Sequence, residues 1–146
     1  MDSKFIFWWR WLVVAAIAEL LFGLSLVTLP HSTQQFFNFL FFSSDQGAPI
    51  FEVAAVNYIT FVCAVLGAVM CGWAVLLLYV LIGPFRRGLS EGWNMIAVSL
   101  GAWFVPDTVI SLWSGFWQNA VLNLVFGILF AIPLVATYRA FHDSAH

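Results

Sequence analysis

Residues 50–83 read IFEVAAVNYITFVCAVLGAVMCGWAVLLLYVLIG, with Glu52 at the start as their one charged residue. About 20 apolar residues cross a hydrocarbon core, so this run exceeds one span even when the helix tilts. Its first turns, including Glu52, are expected to project above the hydrocarbon. What remains is a transmembrane helix that stops at the punctuation GPFRRGLSEG, residues 83–92, where Pro84, two Arg and glycines interrupt the pattern.

The rest of the chain has the same character. It is 63% hydrophobic and 8% charged over 146 residues, with mean hydropathy +0.97, whereas soluble domains are about half apolar and about a quarter charged. Three more apolar runs follow from the same criterion, at residues 5–29, 93–114 and 117–140. The first contains Ala16-Ile17-Ala18, which resembles a signal-peptide cleavage site, but its apolar run continues to Leu29 and is read as a span. Between the first two spans, PHSTQQFFNFLFFSSDQGAP at 30–49 is too short in its apolar part to cross and too aromatic for water. An interfacial or re-entrant segment is expected there. The expected fold class is therefore all-α: a polytopic membrane four-helix bundle forming a single transmembrane domain over residues 1–146.

Charge orients the bundle. Lys4 and Arg10 belong to the start of the first span, Arg86 and Arg87 to the loop between the second and third, and Arg139 to the end of the fourth. All five basic residues thus fall on one side, which the positive-inside rule assigns to the cytoplasm together with both termini. Trp8, Trp9, Trp11 and Trp93 belong to that interface, and Trp113 and Trp117 to the opposite one. The expected location is the bacterial inner membrane, multi-pass. Five basic residues offer no patch to neutralise a nucleic-acid backbone, so nucleic acid is excluded as a partner.

In so apolar a chain the polar residues carry the functional information. Counting from the helix ends places Glu19 near the bilayer centre and Asp107 somewhat past the middle on the side away from the basic residues. An ionised carboxylate at a helix centre costs about 2.5–3.5 kcal/mol on insertion scales, so both are expected to face the bundle interior. Asn57 and Tyr58 in the second span and Asn119 and Asn123 in the fourth fall in that same outer half, below Glu52. The inner half has only Asn94, near its interface. The i,i+4 pairs Asp107/Ser111 and Asn119/Asn123 each present a polar stripe. In WFVPDTVIS, residues 103–111, Pro106 removes the hydrogen bond to the Ala102 carbonyl, and a local opening of the helix beside Asp107 is expected.

Other features point to structure. Cys63 and Cys71 lie in one helix about 12 Å apart, too far for a disulfide, and are read as packing residues. Gly67 and Gly72 offer small residues for close helix approach. His31, His142 and His146 all lie outside the spans, so no bis-histidine haem is expected; neither a cofactor nor a metal site is indicated. No repeat of transporter type is found.

The FWWRWL start of the first span, the Gly72-Trp73 pair, the overall length and the four-span layout resemble small bacterial membrane proteins of the DoxX-like kind, whose function is unknown. A looser likeness is to the sterol-isomerase and sigma-2-receptor superfamily. That resemblance implies an apolar ligand held against buried carboxylates, a part open to Glu19 and Asp107. Apolar walls with a few convergent polar groups describe small-molecule sites generally. The expected function is a binding or accessory membrane protein whose outer half takes a lipidic or small apolar ligand, or a membrane-protein partner, on Glu19, Asn57, Tyr58, Asp107, Ser111, Asn119 and Asn123. The alternatives are acid–base chemistry on a lipidic substrate by Glu19 or Asp107, and a structural subunit of a larger complex.

Overall fold

A computed structural model describes residues 2–42 and 51–142. Residues 43–49 of the expected interfacial segment, and His146, lie outside the described residues. Five α-helices follow in order: α1 Ser3–Thr28, α2 Pro30–Phe42, α3 Val53–Val80, α4 Ser90–Trp113 and α5 Trp117–His142, with no strand among the described residues. Helix α3 continues into a π turn, Leu81–Phe85, kinked at Gly83 (φ −87°, ψ −107°) where the following Pro84 disfavours helical geometry. The span Val53–Phe85 and helices α1, α4 and α5 are each long and apolar enough to cross a membrane. The chain is a multi-pass membrane protein, and its outward face fits that solvent: Val14, Phe61, Val98 and Val135 are among the many exposed apolar side chains.

The chain divides into two compact units, one made of Met1–Ile17 and Val75–His146, the other of Ala18–Ala74. In the first, a tight turn with Gly115 at φ 81° joins α4 to α5 as an antiparallel hairpin. Helix α5 buries Asn123, Gly127, Phe130, Pro133, Leu134, Thr137 and Phe141 along one stripe, the three-and-four spacing of helices packed at a shallow angle. At the end carrying the basic residues, Phe5 stacks on Phe85 at 5.9 Å and meets Phe141 at 5.6 Å. Gly92 sits there for a steric reason: a Cβ on it would lie 2.5 Å from the Phe85 backbone nitrogen.

Indole N–H groups complete this end. Trp9 donates to the Leu81 carbonyl at 2.8 Å and carries the Arg86 guanidinium over its ring at 4.8 Å. Trp93 donates to the Leu134 carbonyl at 2.8 Å. Trp11 donates to the Leu129 carbonyl at 3.0 Å, and this acceptor has a cause. Pro133, four residues later, has no N–H to offer it, and an unsatisfied carbonyl in hydrocarbon costs several kcal/mol.

The second unit is held by close backbone approach. A Cβ on Gly67 would lie 2.6 Å from the Gly23 carbonyl oxygen and 2.5 Å from Leu26 Cβ, so the C-terminal part of α1 and the middle of α3 meet backbone to backbone. Cys71, one turn along from Gly67, is free and turns its Sγ to the Leu20 carbonyl at 3.8 Å. Gly72 does not share this role, because a Cβ there would meet nothing within 4 Å. One position separates the two glycines from a common face: Gly67 and Cys71 are i,i+4, whereas Gly72 is turned a further 100° away. Helix α2 buries Thr33 and Gln34 and exposes Phe36 and Phe39; the Thr60 hydroxyl donates to Gln34 Oε1 at 3.2 Å and ties α2 to α3.

Candidate functional site

Where α4 and α5 approach their turn, three of the sequence-derived residues come together in the first unit. Asn119, in the first turn of α5, donates through its amide to Asp107 Oδ1 at 3.0 Å and to Ser111 Oγ at 2.8 Å. The Ser111 hydroxyl bonds back to the Asp107 main-chain carbonyl at 2.6 Å, with Asp107 Oδ1 at 3.2 Å. The i,i+4 spacing of Asp107 and Ser111 makes this possible by stacking both on the face turned to α5. Both N–H bonds of the Asn119 amide are consumed, so the network crosses the helix pair and closes on itself.

The opening expected at Pro106 does not occur. Helix α4 is continuous from Ser90 to Trp113 with Pro106 inside. Membrane helices absorb a proline by small local adjustments, and Asp107 is positioned by its partners Ser111 and Asn119 instead.

One turn along α5 from Asn119, Asn123 is only 4% exposed, and its Nδ2 has no hydrogen-bond partner. The register of the hairpin shows what faces it. Gly127 packs on the Phe104 ring, where a Cβ would lie 3.1 Å from two ring carbons, and Asn119 bonds Ser111. Between these two contacts, one turn from Phe104 on α4 is Thr108 and one turn from Gly127 on α5 is Asn123. Thr108 Oγ1 is likewise buried without a partner. Thr108 was not among the residues singled out from the sequence. Its signal was the i,i+4 step from Phe104 on α4 matched to the Asn123–Gly127 step on α5, which becomes readable only when the antiparallel register is known.

The remaining sequence candidates lie in the second unit. Glu19 stands on the buried seam of α1, Leu12, Ala16, Glu19, Gly23 and Leu26, spaced by four and three. It is 4% exposed and its Oε2 is buried without a partner. No Lys or Arg occurs between Arg10 and Arg86, so Ala18–Ala74 contains no ammonium or guanidinium group to pair with it. Asn57 and Tyr58 are exposed, Tyr58 at 68%, and are not brought into a buried polar layer. Among the described residues of this unit, the buried polar ones beyond Glu19 are Thr33 and Gln34.

Among the described residues no three His, Cys, Asp or Glu side chains gather as a metal site would require. Ser111 is bonded into its own helix and has no histidine beside it, so the network lacks the activated nucleophile of an acyl-transfer site. What the arrangement offers is a fixed carboxylate beside a layer of buried donors. No known protein family, curated protein or solved structure matches the chain.

Proposed function

We propose that the chain is a membrane-embedded binding or accessory protein whose binding site lies at the turn end of the α4–α5 hairpin. The observation that carries this reading is the closed Asp107–Ser111–Asn119 network with the unpartnered amide of Asn123 buried one turn beyond it. A buried donor without a partner costs about 1–3 kcal/mol in a protein interior. A ligand that supplies an acceptor recovers that cost on binding. In this reading the basic end, with both termini, lies in the cytoplasm of a bacterial cell, the hairpin turn lies on the outer side flanked by Trp113 and Trp117, and α2 rests at the membrane interface. The occupant is a lipidic or small apolar molecule.

The test is native mass spectrometry of the protein released from lipid nanodiscs. The wild-type protein retains a bound small molecule or lipid, and Asn119→Leu combined with Asn123→Leu loses it while the helix content by circular dichroism is unchanged. Equal retention by both proteins would remove the site from the hairpin.

A second reading rests on Glu19. A buried carboxylate with an unpartnered oxygen in lipid suits proton transfer to or from a lipidic substrate. Here Glu19→Gln abolishes turnover of such a substrate without loss of the folded protein, and a Gln variant as active as wild type excludes the reading.

A further inference from the structure

The Thr108–Asn123 layer defines the chemistry of its occupant. The Asn123 amide N–H pair can only donate, whereas the Thr108 hydroxyl can donate or accept, so an occupant that meets both must present acceptor oxygen. A cation cannot satisfy the amide N–H pair. An anion is disfavoured as well: from Gly92 to Tyr138 the chain has one charged side chain, the carboxylate of Asp107, and no Lys, Arg or His to hold a phosphate.

Depth narrows the class further. Thr108 is five residues from Trp113, which is 87% exposed at the end of α4, so the layer lies about 7 to 8 Å below that level along the helix. A charged headgroup would have to leave the interface to reach it. An uncharged one can sink that far, carrying its oxygen with it. The flanks at this depth are lipid-facing, with Val105, Val109, Val121 and Leu124 all exposed, so acyl chains can lie along them while the oxygen enters between α4 and α5.

Resting on the proposed hairpin site, we propose that this layer binds an uncharged, hydroxyl-bearing lipid of the diacylglycerol or long-chain alcohol class, with its oxygen accepting from Asn123 Nδ2 and Thr108 Oγ1.

The experiment uses the full chain in nanodiscs containing either a diacylglycerol with a photoreactive acyl chain or a phosphatidic acid with identical chains, and maps labelled peptides by mass spectrometry. Diacylglycerol is expected to label residues 104–127 about tenfold above phosphatidic acid, the ratio that one unsatisfied buried donor supports. Asn123→Leu and, independently, Thr108→Val should each bring labelling down to the phosphatidic-acid level. Equal labelling of 104–127 by both lipids overturns the uncharged-lipid assignment and leaves the hairpin site standing. Absence of labelling there with either lipid overturns the site itself. Diacylglycerol labelling that survives both substitutions overturns the role of this layer.

Discussion

The two ends of the first unit treat their polar groups in opposite ways. At the basic end, Trp9, Trp11 and Trp93 each donate to a main-chain carbonyl of another element, Leu81, Leu129 and Leu134 respectively. At the turn end, side chains bond mostly to one another, and Asn123 Nδ2 and Thr108 Oγ1 are left buried with no partner. Helix α5 takes part at both ends, and the solvent is the same apolar phase. A carbonyl belongs to a rigid helix, so a donor aimed at it locks two elements together. An orphaned donor contributes nothing to that locking and lowers stability, which is why the proposed binding site is placed there.

The largest effect should come from breaking the locked end. Gly92→Val places side-chain atoms against the Phe85 and Pro84 backbone, which cannot move aside as a flexible side chain would. A loss of about 3 kcal/mol is expected in a denaturant titration of the detergent-solubilised protein, if it folds at all. Next in size is Trp11→Phe, which keeps the ring and removes the N–H from the Leu129 carbonyl. It should cost about 1–3 kcal/mol, the penalty for orphaning a carbonyl that faces hydrocarbon. The mechanism is separable by a double-mutant cycle. Pro133→Ala supplies a new main-chain N–H for Leu129, so in that background Trp11→Phe should cost about 1 kcal/mol less. Strict additivity would show that Trp11 contributes by packing alone.

Much of this architecture is legible in the sequence, because lipid makes the code simple. Apolar run length locates α1, the α3 span, α4 and α5, and the inward placement of Glu19 follows from the cost of exposing a carboxylate to hydrocarbon. Asp107, Ser111 and Asn119 were recoverable as i,i+4 stripes on neighbouring helices. What escapes is whatever depends on which faces meet. Asn57 and Tyr58 were assigned to a polar layer by counting along their span, yet both are exposed, because depth is all that such counting provides. Gly67 and Gly72 look equivalent in LGAVMCGW, yet one touches the Gly23 backbone and the other touches nothing. Pro133 reads as a bend, and the indole that satisfies its freed carbonyl lies more than a hundred residues earlier. An apolar exterior has no polar face to orient a helix, so periodicity cannot say which side looks inward.

At the turn end the comparison predicts a change of sign. Asn123→Leu replaces an orphaned amide with an apolar group of similar volume, so stability should rise by about 1 kcal/mol in the same denaturant titration. Loss of stability on that substitution would mean that Asn123 is satisfied in the membrane by a permanent component of the fold, and the two ends would then differ only in where their acceptors come from.

The smallest effect sharpens the contrast most. Asn119 spends both amide protons across the helix pair, on Asp107 and Ser111, and by donor count alone it resembles Trp11. Its partners differ from a bare carbonyl, however. Ser111 retains its bond to the Asp107 main chain when Asn119 is removed, and Asp107 is only half-buried, so neither is stranded. Asn119→Leu should therefore cost close to the average for an interhelical polar contact in membranes, about 0.6 kcal/mol, and release the Asp107 carboxylate from its fixed position. Ligand retention should fall even though the fold hardly changes. A cost equal to that of Trp11→Phe would place Asn119 among the locking groups, and the turn end would be as structural as the basic end.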